Sequence, residues 1–241
     1  MAEVTPMRGR ALSLVTVDLW ERYFRFEIEG FDTLRTAEPS LIVGYHGGPW
    51  AYDLFMLAAR MQEELGYFPG AVWHPLWLQL HALRHIVSRL GGRPGLPRSD
   101  EIEAMKRRGE HFVITPGGTH EGLRPFWEGR RVDFGGRRGY LRFAQANDLP
   151  VIPVVASGLD RTYVGLNHAR AVSQRVFGRQ GAPAWLGLGI GGLWPLAPPF
   201  PVKIRQRIGE PIEIASLSVE EAHARVTGRM QSMLDELRRA A

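Results

Sequence analysis

Hydrophobic and polar positions along the chain switch repeatedly between a helical and an extended period. Residues 10–28 set Leu12, Val15, Leu19, Tyr23 and Phe26 at helical spacing, with Trp20 and Phe24 widening the apolar face. That pattern predicts an amphipathic helix, of the kind that packs on a core or lies in a bilayer interface. Phe26–Gly30 reads as a short strand after it. Ser40–Tyr45 is an apolar run between Pro39 and a glycine pair, the signature of a buried strand. Helical spacing returns over Ala51–Leu65, with Leu54, Leu57, Ala58 and Met61 on the buried side and Gly66 as the stop. Tyr67–Trp73 predicts a strand and Pro75–Leu90 a helix. A glycine- and proline-rich loop, Gly91–Arg98, leads to a helix over Asp100–Arg108 with Ser99 as its cap, and then to a strand over His111–Thr115. After a further glycine-rich stretch, a helix runs to about Asn147. Leu149–Ala156 is an apolar strand whose Pro150 and Pro153 assign it to a sheet edge or a strand end. Val202–Ile208 predicts a strand, Gly209-Glu210-Pro211 a turn, and Ser218–Arg239 a capped terminal helix.

Strands alternating with helices indicate an α/β fold: a single domain with a mostly parallel central sheet flanked by helices. No repeat or linker divides the chain. Its parts are an N-terminal amphipathic helix at about 10–28, a core at about 40–215 and a C-terminal helix at about 218–239. One stretch breaks the pattern. Ala182–Pro201 is apolar but rich in glycine and proline, and it carries Trp185, Leu186, Leu188, Ile190, Leu193 and Trp194. It reads either as a surface that meets lipid or an acyl chain, or as a cover over the sheet.

Composition narrows the classes of function. The 241 residues are 44% hydrophobic and 23% charged, which suits a globular protein. Cysteine is absent, which excludes disulfides, thiolate nucleophiles and cysteine-ligated metals. A net charge of +5, carried mainly by arginine, favours anionic partners. The arginines are scattered with no aromatic–basic platform, so nucleic acid is the least suited of these. No run approaches the roughly 18 apolar residues of a membrane span, and the N-terminus lacks a signal-peptide core, so the expected location is the cytoplasm, free or peripheral to a membrane.

Three places carry candidate chemistry. His46 ends the Ser40–Tyr45 strand, Gly47, Gly48 and Pro49 follow, and Asp53 comes in the first turn of the next helix. An imidazole near a carboxylate can take a proton from a hydroxyl; the plainer alternative is a core histidine and an acid that complements a helix dipole. Here the glycines are expected to supply unusual backbone angles and Pro49 to start the helix. His81 and His85 lie one helical turn apart with His74 before them, but no H-E-x-x-H pattern or nearby carboxylate supports a metal, and core or surface histidines are the better reading. Arg93 and Arg98 in a constrained loop suit phosphate recognition. Pro116-Gly117-Gly118-Thr119 brings backbone N–H groups close together without the spacing of a nucleotide P-loop.

Taken together these stretches resemble the lysophospholipid/glycerolipid acyltransferase superfamily over roughly residues 40–215. His46 through Asp53 is similar to its His-x4-Asp block, and Gly91–Arg98 to its glycine-led, arginine-ended block. Pro116–Thr119 is similar to Pro-Glu-Gly-Thr, and Leu149–Val155 to the proline-containing strand. Two departures stand out: six residues separate His46 from Asp53 where four are usual, and Gly117 replaces the glutamate, as in the diacylglycerol acyltransferase-like branch. The loss of that glutamate, with His120 in place of the usual arginine, favours a neutral acceptor over a phosphorylated glycerol.

The resemblance implies an acyltransferase that moves a fatty acyl group from acyl-CoA or acyl-carrier protein, as co-substrate and without a cofactor, to a lipid hydroxyl. It implies His46 as general base and Asp53 as its orienting carboxylate, with Gly47, Gly48, Arg98, Gly117, Gly118 and Thr119 around the substrates. It also implies peripheral association with the inner face of the membrane. A hydrolase using the same pair on water and a lipid-binding module without catalysis are the alternatives.

Overall fold

The structure, a computed structural model, describes residues 17–72, 92–93, 95–169 and 185–240. Its strands are β1 (Glu27–Glu29), β2 (Leu41–Gly44), β3 (Gly70–Val72), β4 (Gly92–Arg93), β5 (Phe112–Ile114), β6 (Val151–Ser157), β7 (Val164–Gly165), β8 (Gly187–Gly189), β9 (Gly192–Leu193) and β10 (Arg205–Ile208). Seven of them form one sheet in the order β1-β10-β6-β2-β5-β3-β4. The five from β6 to β4 are mutually parallel, β10 runs antiparallel to β6, and β1 is parallel to β10. The mostly parallel α/β sheet expected from the alternating pattern is therefore present.

Its helices are α1 (17–24), α2 (Asp32–Thr36), α3 (Tyr52–Glu64), α4 (Ser99–Arg107), α5 (Gly118–Gly122), α6 (Gly139–Ala146) and α7 (Val219–Arg239). Strands β2 and β6 are buried on both faces, which is why they read as continuous apolar runs. Leu41, Val43, Val151 and Val155 point to a core shared with α4, α6 and α7, through Ile102, Leu141, Met230 and Leu234. Ile42, Ile152 and Val154 point the other way, onto Leu34 of α2 and Leu57 and Met61 of α3. Ser218 starts α7 with a reciprocal cap: its Oγ accepts from the Glu221 N–H, and the Glu221 carboxylate accepts from the Ser218 N–H.

Several expectations change. Strand β6 lies between β10 and β2, not at an edge. Pro153 is tolerated because its missing N–H falls where β10 stops, between the Val154–Ile208 pair and the isolated Val151–Ile212 bridge. Helix α3 begins at Tyr52, three residues after Pro49, and buries Met56 and Ala59 in place of Ala58. The cap of α4 is Arg98 rather than Ser99, because the Glu101 carboxylate reaches back to the Arg98 N–H at 2.7 Å. Within the loop assigned to Gly91–Arg98, Gly92 and Arg93 form edge strand β4. The helix expected over Pro75–Leu90, with His74, His81 and His85, lies outside the described residues.

The Ala182–Pro201 stretch, where described, contributes β8 and β9 to a separate three-stranded antiparallel sheet with β7. Among the described residues no helix is long and apolar enough to cross a membrane.

Candidate active site

Parallel strands present their carboxyl ends on one side of a sheet, and in α/β folds that side is where ligands are held. Here the segments that leave β2, β5 and β6 meet there. Strand β2 delivers Tyr45 and His46, β5 leads through Gly117 to Glu121, and β6 leads through Gly158 to Asp160. They are tied by buried polar contacts. The His46 N–H donates to Glu121 Oε2 at 2.9 Å, and the Asp133 N–H donates to Glu121 Oε1 at 2.9 Å. The Tyr45 hydroxyl donates to Asp160 Oδ1 at 2.7 Å and accepts from Arg124. The Arg124 guanidinium also donates to the Arg131 carbonyl at 2.7 Å and lies 5.6 Å from the centroid of the Tyr45 ring.

The glycines serve proximity. Gly47 and Gly48 do not adopt positive φ, contrary to the expectation of unusual backbone angles. A Cβ on Gly47 would come within 2.6 Å of both Asp160 Oδ1 and the Tyr45 ring, and one on Gly122 within 3.0 Å of His46 Nδ1. Glycine is needed at both because the three strand-end segments crowd together. Gly117 has a similar role: a Cβ there would stand 2.3 Å from Glu121 Oε2. The space beside residue 117, where the resembled family carries a glutamate, is filled by the Glu121 carboxylate.

His46 is largely enclosed by protein, and its chain neighbours Gly47 and Gly48 line a cleft together with Gly122, Arg124, Tyr163 and Trp185 among others. Burial, reinforced by Arg124, holds its pKa down at about 4, against the smaller opposing effect of the Gly48 backbone. The ring is neutral at pH 7, as a general base must be. Burial pushes Glu121 up to about 8 although two amides and Arg124 favour its charged form. The same cause raises Asp160.

Asp53 is also fully buried, on the inner face of α3. Its Oδ2 accepts from Gln206 Nε2 at 3.1 Å, and burial outweighs that bond to raise its pKa to about 7. No hydrogen bond or ion pair joins it to His46: His46 Nδ1 and Asp53 Oδ1 are each buried without a partner, as is Gln206 Oε1. Residues 48–50 form a bend between β2 and α3.

The remaining sequence candidates divide. Gly117, Gly118 and Thr119 sit at the start of α5, whose Glu121 and Gly122 are the residues beside His46; the Gly118 N–H is committed to the Thr115 carbonyl, and Arg137 donates to the Gly117 carbonyl at 2.7 Å. Arg98 is exposed, pairs with Asp100 at 3.0 Å, and has no contact with the His46 cluster among the described residues. His120 pairs with Asp133 at 3.4 Å. Sequence reasoning passed over Tyr45, Glu121, Arg124, Asp160 and Gln206. Tyr45, next to His46, and Glu121, within the glycine-rich stretch after β5, had a local signal; Arg124, Asp160 and Gln206 are brought in by the fold. Among the described residues no cluster of three metal-ligating side chains occurs.

No protein-family model and no curated protein matches the sequence. Among solved structures the chain is similar to the crystal structure of the 1-acyl-sn-glycerophosphate (LPA) acyltransferase PlsC from Thermotoga maritima, with a TM-score of 0.59 and 16% sequence identity. The superposition covers 98% of this chain and 84% of that one. The class defined by this likeness is a fold class: the chain has the α/β architecture of that acyltransferase.

Proposed function

We propose that this chain is an acyltransferase of glycerolipid type, moving a fatty acyl group from an acyl-CoA or acyl-carrier-protein thioester to a lipid hydroxyl. The observation that carries the reading is His46: a neutral imidazole at the carboxyl end of a central parallel strand, next in sequence to two glycines that line a cleft, in a fold shared with a glycerophosphate acyltransferase. In the proposed reaction the acceptor oxygen attacks the thioester carbonyl while His46 takes its proton. The tetrahedral intermediate then collapses, the C–S bond breaks, and the proton passes to the leaving thiolate. No enzyme nucleophile or cofactor enters.

Asp53 supports the base by orienting the ring and stabilising the imidazolium. Its partnerless Oδ1 and the partnerless Nδ1 of His46 are the two atoms such a pair would join. In this reading, engagement requires movement of α3, of the 48–50 bend or of the His46 ring, whose Nδ1 now faces Gly122. Gly47, Gly48, Gly117, Gly118 and Thr119 border the reacting groups. Arg124, a buried cation on the cleft wall, replaces Arg98 as the nearest candidate to hold negative charge developing there. We further take the chain as one acyltransferase domain that works peripherally at the cytoplasmic face of a membrane, where its acceptor resides.

The test is transfer of labelled acyl groups from acyl-CoA to a panel of lysophospholipids, mono- and diacylglycerols and fatty alcohols. His46→Ala should cut turnover by at least about a hundredfold, the scale of a lost general base, with the protein still folded. Undiminished transfer by that variant refutes the mechanism. Release of free fatty acid with no acylated product, whatever the acceptor, would identify a hydrolase instead.

A further inference from the structure

The small sheet has its faces reversed. An antiparallel sheet with one wet side normally turns apolar residues inward and polar residues outward. Here Gly165, Gly187 and Gly189 face inward: Cβ atoms on the first two would strike the Trp185 ring, at 2.8 and 2.2 Å, and one on Gly189 would stand 2.8 Å from the Tyr163 ring. Strand alternation sends the bulky residues out. Val164, Leu188 and Leu193 are directly paired across the three strands, and the Leu166 N–H to Leu186 carbonyl bond extends the ladder. Leu188 is 38% exposed, Leu193 47%, and Leu196 beyond the hairpin 94%. The turn that carries Phe126 and Trp127, both exposed, is tied to the end of β7 by the Glu128–His168 pair at 2.6 Å. An apolar outer face of this kind marks a surface that meets something other than water.

We propose that this face seats the protein on an anionic lipid bilayer. Charge selects that occupant. Between Asp160 and Glu210 the sequence holds no acidic residue; Arg161 is exposed next to Asp160, Lys203 pairs with Glu27, and Arg170, Arg175 and Arg179 belong to the stretch outside the described residues. Such a segment is drawn to anionic headgroups, and the same excess of one sign repels a second copy of the chain. The exposed Trp127, on the turn held to the residues after β7, suits the headgroup level of a membrane.

Placement supplies the purpose. Tyr163, Gly165 and Trp185, which belong to the small sheet or back it, are also walls of the cleft lined by Gly47 and Gly48 beside His46. A bilayer against the outer face would lie close to that cleft, and the acceptor would be supplied from the same interface. This purpose rests on the acyl-transfer reading; the docking itself does not.

The experiment is co-sedimentation of the full chain with vesicles of phosphatidylcholine alone and of about seven parts phosphatidylcholine to three parts phosphatidylglycerol, at low and high salt. The wild type should bind the mixed vesicles and bind them less as salt rises. The combined variant Leu188→Gln, Ile190→Gln, Leu193→Gln should bind at least about tenfold more weakly with an unchanged unfolding midpoint, since its side chains are exposed. Leu196→Gln, outside the ladder, should show a smaller loss and serves if the triple variant fails to fold. Equal binding by folded variants and wild type, or no vesicle binding by wild type, overturns the proposal. So does a wild-type dimer that the substitutions dissolve, or capture of an acidic acyl-carrier protein by a chain that ignores vesicles. Vesicle binding is read without turnover, so normal binding with no acyl transfer to any acceptor would sink the enzymatic reading and leave the docking in place.

Discussion

Replacing His46 by glutamine removes one titrating group from the centre of the site, and the effect can be worked out in advance. The ring's pKa stands at about 4 in the folded protein, held there first by burial and then by Arg124. An exposed histidine titrates near 6.5, and a drop of about 2.5 units corresponds to about 3 kcal/mol in favour of the neutral ring. Because the folded state holds the proton less well than the unfolded state, folding loses stability as pH falls from about 6.5 to about 4. Glu121 and Asp53, whose pKa values burial raises to about 8 and about 7, act in the opposite sense: their stabilisation grows as pH falls through those values.

The two effects are separated by difference. In chemical denaturation at a series of pH values, wild type minus His46→Gln cancels the carboxylates to first order. The wild type should lose about 3 kcal/mol relative to the variant between pH 6.5 and 4. The acid limb of kcat/KM should fall near pH 4, because that limb reports the free enzyme's base. A stability difference that does not change over this interval, or an acid limb near 6.5, refutes the description of His46 as a buried neutral base. A limb well above 6.5 would instead report an ionised Asp53 paired to the ring.

Two further substitutions test the surroundings. Asp53→Asn keeps an oxygen for Gln206 and removes the cost of ionising a buried acid, so denaturation should show unchanged or increased stability above pH 7, while turnover falls at least about tenfold; unaltered turnover would remove Asp53 from the mechanism. Gly122→Ala would put a Cβ 2.6 Å from the Gly48 carbonyl oxygen and 3.0 Å from His46 Nδ1. It should cost about 1–3 kcal/mol of overpacking in a thermal melt and lower kcat more than it raises KM, by displacing the base; a neutral outcome in both measurements contradicts the close approach.

The periodic parts of the fold were legible because burial writes itself into the residues that undergo it. Leu41–Gly44 reads as a buried strand since both of its faces are covered, and Tyr52–Glu64 reads as a helix since one face is. Pro153 misled because a missing N–H normally signals an edge; only the partner strand's break between Ile208 and Ile212 reveals why a central strand accepts it. In the site, His46 stood out at the end of its strand with glycines after it. The rest of its setting depends on long-range contacts: Glu121 is 75 positions away in sequence, Asp160 reaches Tyr45 across 115 and Gln206 reaches Asp53 across 153. No local spacing encodes such meetings.

By itself the sequence determined the alternation of strands and helices, the absence of thiol chemistry, and the histidine at the end of the central apolar run with glycines after it. These are properties of residue type and period, and they act over a few residues. Only the tertiary structure decided that Asp53 is held by Gln206 rather than His46, that Glu121 fills the space beside Gly117, and that a hairpin of leucines faces outward over the cleft. Those outcomes depend on which strand ends converge and which faces remain uncovered once the sheet is packed. That is a matter of three-dimensional burial, and the one-dimensional pattern constrains it without specifying it.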